Sequence, residues 1–252
     1  MRIEYPADGQ LGQLRALWRL AFGDSEVFLD KFYGSGYDSR RCRCITKDGR
    51  IAAALYWFDA EYAGQKIAYL YAVATHPDFR NRGLCRALME DTHALLAENG
   101  YAAAMLMPDG SALRRMYAGM GYRDCCRVSE FDCTAGSASV PIRAIGREEY
   151  AQLRREFLPA GGAHQEGASL RYLETYCSFC AGADFLLAAA PDSRGLSGIE
   201  LLGNKGAAPG ILRALGYEQG RFRVPGEEIP FAMFRPLKDG AKAPGYFGLV
   251  FD

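Results

Sequence analysis

No stretch of the 252-residue chain approaches the length of a membrane span, and Met1-Arg2-Ile3-Glu4-Tyr5-Pro6 lacks the apolar run of a secretory signal. The expected compartment is the cytosol, with no membrane partner. Net charge is also lacking, because 30 basic and 30 acidic residues cancel. That argues against nucleic acid or anionic lipid as the main partner, since such binders carry net or clustered positive charge. A local basic patch can still serve a small anion. Paired metal-type cysteine spacing is missing too. Cys177-Ser178-Phe179-Cys180 has the spacing of half a zinc site, but neither Cys42/Cys44 nor Cys125/Cys126 has the two-residue gap of a second half. No metal is expected. The eight cysteines read as reduced thiols that pack as small hydrophobes.

What is present is the material of a folded protein: 49% apolar residues and 24% charged. Leu11, Leu14, Trp18 and Phe22 recur at helical spacing before Gly23, and Ser25 can start a short second helix reaching Phe32 or Tyr33. Strands are expected over 42–46, 51–58 and 66–75, with hairpin turns at Asp48-Gly49 and near Ala63-Gly64. A helix over 83–99 ends at Gly100. A buried strand over 101–107, a helix over 111–118 and a strand over 122–133 follow. The small, polar run 134–139 reads as a linker, which divides the chain into domains 1–133 and 140–252. The second part predicts helices at 147–157 and around Leu170, Leu173, Tyr176 and Cys177. Its strands are expected at 185–190, 199–202, 222–224, 231–235 and 246–251. Met116-Tyr117-Ala118-Gly119-Met120-Gly121-Tyr122 is echoed by Ile211-Leu212-Arg213-Ala214-Leu215-Gly216-Tyr217, which raises the idea of a degenerate second copy.

The informative stretch runs from Ala68 to Met89. A strand stops at Pro77, a basic turn follows, and a helix begins near Gly83. The first turn of a helix carries unpaired N–H groups and partial positive charge, so it suits a phosphate. Gly83 lets an anion approach the backbone, and Arg80, Arg82 and Arg86 surround the turn. This chemistry points to a pyrophosphate, and a solvated, arginine-capped surface turn is the alternative.

With its order of elements, this segment resembles the GCN5-related N-acetyltransferase (GNAT) superfamily. That family's cofactor signature is Arg or Gln, two residues, Gly, one residue, then Gly or Ala. Arg80 and Gly83 fill the first two defined positions, and Cys85 departs from the small last one. In carrying a larger residue there, followed by Arg86-Ala87-Leu88-Met89, the chain is closest to the enhanced intracellular survival branch. The resemblance spans residues 1–133 in order of elements and is specific over 68–122. It implies a mixed α/β GNAT fold: a central, mostly antiparallel sheet with one splayed parallel pair, flanked by helices. The C-terminal part is expected to be a smaller α+β domain; if the internal echo marks it as a degenerate second copy, it has lost its cofactor, since it has no equivalent of the Arg80–Cys85 segment. The implied cosubstrate is acetyl-CoA. Val73 and Thr75 would contact its pantetheine arm, the N–H groups of Arg82, Gly83, Leu84 and Cys85 would hold its pyrophosphate, and Arg80, Asn81 and Arg86 complete the cofactor-binding set.

The implied reaction is acetyl transfer to a primary amine of a small-molecule acceptor. Tyr117, in the pattern Tyr-x-x-x-Gly-Tyr, is the candidate general acid for the departing thiol. The base is open among Tyr69, Tyr71, water and the C-terminal carboxylate of Asp252. His76 is expected to be structural, and Glu90 and Asp91 to lie on a solvated helix face. Trp57, Phe58, Phe28, Phe32 and Tyr33 are candidates for an acceptor pocket or for core. A non-catalytic acyl-CoA-binding module and a nucleotide- or phosphosugar-binding protein are the competing readings, and oligomeric state is left open.

Overall fold

The computed structural model describes residues 2–251. Its contacts divide the chain into two units. One runs to Arg123 and adds Phe234–Lys242, and the other comprises Asp124–Met233 and the segment from Ala243 onward. The expected boundary at 134–139 therefore does not coincide with the division by contacts, which falls ten residues earlier and is crossed again near the end.

The first unit contains β1 (Arg2–Glu4), α1 (Leu11–Phe22), α2 (Glu26–Lys31), β2 (Cys42–Lys47), β3 (Arg50–Tyr62), β4 (Gln65–Thr75), α3 (Leu84–Glu98), β5 (Ala103–Leu106) and α4 (Gly110–Ala118), and its first segment ends within β6 (Arg123–Asp124). Helix α1 buries Leu14, Leu17 and Trp18, and Gly23 closes it in the left-handed region. Ser25 caps α2 by accepting from the Phe28 N–H at 3.2 Å, and a single π turn, Phe32–Gly36, extends it. Both two-residue hairpins place their central residues at positive φ: Asp48 and Gly49, then Ala63 and Gly64. That geometry matches the right-handed twist of the flanking strands. Strand β3 pairs antiparallel with β2 and β4, whereas β4 and β5 are parallel and joined through α3.

The second unit contains β7 (Arg127–Thr134), β8 (Arg143–Ile145), α5 (Arg147–Phe157), α6 (Ala168–Leu173), β9 (Ser178–Ala181), β10 (Phe185–Asp192), β11 (Gly195–Gly203), α7 (Ala208–Leu215), β12 (Gln219–Pro225) and β13 (Ile229–Pro230). The last strand, β14 (Met233–Pro236), belongs to the first sheet. One core cluster packs α7 residues Ile211 and Leu212 on Phe185, Leu187, Leu201 and Phe222.

The first sheet is ordered β1-β2-β3-β4-β5-β14-β6, and the second, read from its far edge, β8-β9-β10-β11-β12-β7-β13. The two orders match place for place. In each sheet the fourth and fifth strands are the parallel pair, joined by a helix. In each, the sixth place is taken by the strand that follows the other sheet's last strand. This is a reciprocal exchange, and it corrects two expectations. The run 122–133 is two strands in different sheets, and 231–235 serves the first sheet. The segment 246–251 is no strand: its Tyr246, Phe247, Leu249, Val250 and Phe251 are buried, with one bridge from Tyr246 to Gly162. Asp252 lies outside the described residues. No helix among the described residues is long and apolar enough to cross a membrane.

Candidate cofactor and acyl-transfer site

The site begins where β4 and β5 part. Their parallel register holds Ile67 to Ala103, Ala68 to Ala104 and Tyr69 to Met105, while β4 runs on to Thr75. On its other edge β4 carries a bulge. Tyr71 pairs with Tyr56 and Ala74 with Ala54, so Leu55 faces both Ala72 and Val73. Ala72 takes a φ of 49°, a left-handed conformation unusual for a residue with a Cβ. A bulge of this kind re-aims backbone groups and side chains. Val73 and Thr75, both half-buried, lie on this stretch. Nothing in the alternation of Tyr71-Ala72-Val73 marks the bulge, so the sequence reading missed Ala72.

After β4 the chain makes one 3-10 turn, Pro77–Phe79, capped by His76, whose Nδ1 accepts from the Asp78 N–H at 3.2 Å. His76 is structural, as expected. Asn81 and Gly83 then take positive φ values of 59° and 74°, and α3 starts. Its first internal bond runs from the Ala87 N–H to the Gly83 carbonyl at 3.0 Å. The N–H groups just before Ala87 are therefore those a helix leaves without internal partners. A Cβ placed on Gly83 would meet no heavy atom within 4 Å, so the backbone here lies open to approach.

The three arginines divide their work. Arg80 Nε turns back to donate to the Thr75 carbonyl at 3.3 Å. Arg82 lies over the Phe79 ring at 5.6 Å. Arg86 donates through both terminal nitrogens to the Gly119 carbonyl at 3.3 Å, and Glu90 stands 3.8 Å from it. Arg86 is thus a tie between α3 and the end of α4. The carbonyl of Met120 accepts from Arg235 of β14, so cations meet the C-terminal end of α4 from two elements.

That helix end carries Tyr117. Its ring is 6% exposed and packs edge-on against Tyr122, with centroids 5.8 Å apart. Burial, reinforced by the nearby Cys85 thiol, pushes the Tyr117 hydroxyl well above its ordinary value, so it keeps its proton at neutral pH. Burial likewise raises the half-buried Cys85 thiol. Beneath them the Tyr122 hydroxyl and His93 Nε2 are 2.7 Å apart. Burial, with Arg235 adding to it, depresses His93 to about 3, leaving it neutral. Sequence reading missed His93. Its position on the inner face of α3, beside Leu88, Met89 and Leu96, was the available signal.

The candidate bases are tyrosines set among rings. Tyr69 is buried, and Tyr71 lies 5.5 Å from Trp18, which also stacks near Phe32 and Tyr56. Glu90 is exposed as expected, and Asp91 is partly exposed but paired. It receives two bonds from the buried Arg43 of β2, at 3.1 and 2.5 Å. Among the acceptor-pocket candidates, Phe32 and Phe58 are core, and Phe28 and Tyr33 are half-buried. Trp57 points to the opposite face of β3, where its Nε1 donates to the Tyr101 hydroxyl at 3.2 Å. It does not join the cluster around Trp18.

Residues 2–125 match the family model described as an acetyltransferase (GNAT) domain. By sequence, this stretch is similar to a GNAT domain. The full chain has the fold of solved GNAT proteins. A GCN5-related N-acetyltransferase from Anabaena variabilis is similar over 94% of this chain and 73% of its own, with a TM-score of 0.72 and 15% identity. One from Kribbella flavida covers 95% and 73%, at 0.70 and 16%. Eis1 from Mycobacterium abscessus covers 94% and 74%, at 0.67 and 11%. At these identities the likeness is one of fold. No match was found among proteins of curated function.

Proposed function

We propose that the protein is an acetyl-CoA-dependent N-acetyltransferase that acetylates a primary amine of a small-molecule acceptor by direct transfer, with Tyr117 as general acid. The observation that carries this reading is the open amide mouth of α3, at the end of a strand that has parted from its neighbour, close to a buried phenol that holds its proton. These features fit a pyrophosphate followed by an amide-bearing arm. The N–H groups of Arg82, Gly83, Leu84 and Cys85 would hold the phosphates, joined by that of Arg86, which also precedes the first internal bond of the helix, with the Arg80 and Asn81 side chains at the rim. The backbone of Val73 and Thr75 would orient the arm. When bound, acetyl-CoA supplies an acyl group activated as a thioester. Tyr117 holds a proton for the sulfur that departs. Arg86 serves by fixing α4, and so Tyr117, through the Gly119 carbonyl.

Within this reading, the similarity of Arg86-Ala87-Leu88-Met89 to the enhanced intracellular survival branch makes that branch one comparison to test, and the likeness to Eis1 is one of fold. The decisive experiment measures thiol release from acetyl-CoA across a panel of primary amines, alongside competition of coenzyme A with ATP for binding. Amine-dependent release and preference for coenzyme A are expected. Binding without amine-dependent release would reduce the protein to an acyl-CoA-binding module. Preference for ATP would remove the reading altogether.

A further inference from the structure

Two cysteines stand side by side where the chain leaves β6 for β7. Successive side chains of a regular strand point to opposite faces, which keeps neighbouring sulfurs apart. Here Cys125 Sγ and Cys126 Sγ are 3.3 Å apart. The pleat is broken at this step, which is why the expected single strand becomes two. The backbone around the break is nonetheless held: the Cys125 N–H donates to the Ala232 carbonyl at 3.1 Å, and the Phe231 N–H donates to the Cys126 carbonyl at 2.9 Å. The Cys125 thiol points to the Ala232 carbonyl at 3.5 Å and the Cys126 thiol to the Pro244 carbonyl at 3.3 Å. Cys126 is buried and Cys125 half-buried, so Cys125 is the more accessible member of the pair.

The geometry points to a modification site: Cys125 and Cys126 form a dithiol that closes to a vicinal disulfide with a hydroperoxide as oxidant. Cys125, as thiolate, attacks one peroxide oxygen. An S–O bond forms, the O–O bond breaks, and the other oxygen leaves with the thiol's proton as water. The Cys126 sulfur then attacks the Cys125 sulfur. The S–S bond forms, the S–O bond breaks, and a second water leaves with the Cys126 proton. Two thiols give up two electrons and two protons, and one hydrogen peroxide becomes two waters. A disulfide is about 2.05 Å long, so the sulfurs need to approach by only about 1.2 Å. The eight-membered ring must bend the intervening peptide, and such strain makes a disulfide easily reduced. The bond is therefore reversible, and its closure takes from the Ala232 and Pro244 carbonyls the thiol donors they now have.

The test treats the full chain with one equivalent of hydrogen peroxide, blocks free thiols with iodoacetamide and maps the digested protein by mass. The expected result is a two-hydrogen loss on the peptide bearing Cys125 and Cys126, reversed by dithiothreitol, with alkylation of that pair reduced at least about tenfold. Cys126→Ser should abolish the loss and leave a sulfenic acid at Cys125 that dimedone captures. Phenylarsine oxide, which bridges paired thiols, should protect the same two residues in the reduced wild-type protein, a result that needs no variant to fold. Full alkylation of both residues after peroxide, a two-hydrogen loss mapped to other cysteines, or failure of phenylarsine oxide to protect the pair would overturn the assignment.

Discussion

Helices α3 and α7 occupy the same place in their sheets, each joining the parallel fourth and fifth strands, yet only one has an open mouth. At α3 the chain arrives through an exposed arginine-bearing turn, and Gly83 meets nothing within 4 Å of where a Cβ would sit. At α7 the approach is a single 3-10 turn, Lys205–Ala207, and Pro209 in the first helical turn supplies no N–H. The linker from β7 then lies across the start of α7: the Gly136 N–H donates to the Pro209 carbonyl at 3.0 Å, and a Cβ on Gly210 would fall 2.5 Å from Val140 Cγ1. Only residues 226–228 separate β12 from β13, so the second half also lacks a counterpart of α4 and its tyrosine. A shared strand order thus fixes where a cofactor could sit. Free amides, and a helix to carry the acid, decide whether one can.

The sharpest test of this contrast asks whether the second half is scaffold alone. Beyond the stretch paired with its parallel neighbour, where β4 of the first half runs on without β5, β11 carries Glu200, fully buried. It accepts from Arg154 at 2.7 and 2.9 Å, from the Tyr150 hydroxyl at 2.9 Å and from the Tyr246 hydroxyl at 3.0 Å. Every lone pair is used, as a buried carboxylate requires. Glu200→Ala strands the Arg154 charge and should cost about 3–5 kcal/mol of stability in a denaturant titration. A loss under about 1 kcal/mol would mean the cluster is not the anchor described. In the first half, Tyr117→Phe should lower turnover about 100-fold or more while coenzyme A affinity stays as it was. Unchanged turnover in thiol-release kinetics would strip Tyr117 of its role.

Much of this contrast was legible in the residues. Asp48-Gly49, Ser25 and Gly83 announce a hairpin, a cap and a helix start through local chemistry, and all three are found there. The exchange of β7 and β14 was not legible, because nothing local in Arg127–Thr134 says which sheet it joins. The echo between residues 116–122 and 211–217 paired the wrong helices. Tyr101, Tyr122 and Tyr217 each follow a glycine at positive φ and donate to a carbonyl five residues back, at 3.0, 3.1 and 2.9 Å. The shared string is a helix stop used three times. The duplication lies in strand order, where α7 answers to α3 and not to α4. The Cys125-Cys126 break escaped notice for a similar reason: 122–133 alternates well enough to read as one strand.

The halves also differ in how they bury titratable groups. Arg154 and Glu200 compensate each other, whereas His93 faces only the Tyr122 hydroxyl and, at longer range, the cation of Arg235. Its folded value, about 3, lies below the ordinary 6.5. The unfolded chain therefore binds the proton that the folded chain refuses. Stability should rise with pH across the interval between those values and fall as the solution is acidified, by up to about 1.4 kcal/mol per pH unit from this group. His93→Gln should flatten that slope. Equal slopes for variant and wild type between pH 6.5 and 4 would place the acid sensitivity elsewhere.

The smallest effects bear most directly on the two helix mouths. Gly83→Ala puts a Cβ at a φ of 74°, which costs about 1–2 kcal/mol for an L residue. It also crowds the approach to the amides at the start of α3. Coenzyme A affinity should fall about tenfold, a difference of about 1.4 kcal/mol. The matching change at the other mouth, Lys205→Ala, removes the cation of the turn before α7 and should leave affinity unchanged, because that mouth is occupied by the chain's own linker. Isothermal titration with both variants puts the contrast at risk in one experiment. If Lys205→Ala weakens coenzyme A binding as much as Gly83→Ala does, the covered mouth takes part in binding and strand order alone would be enough to make a site.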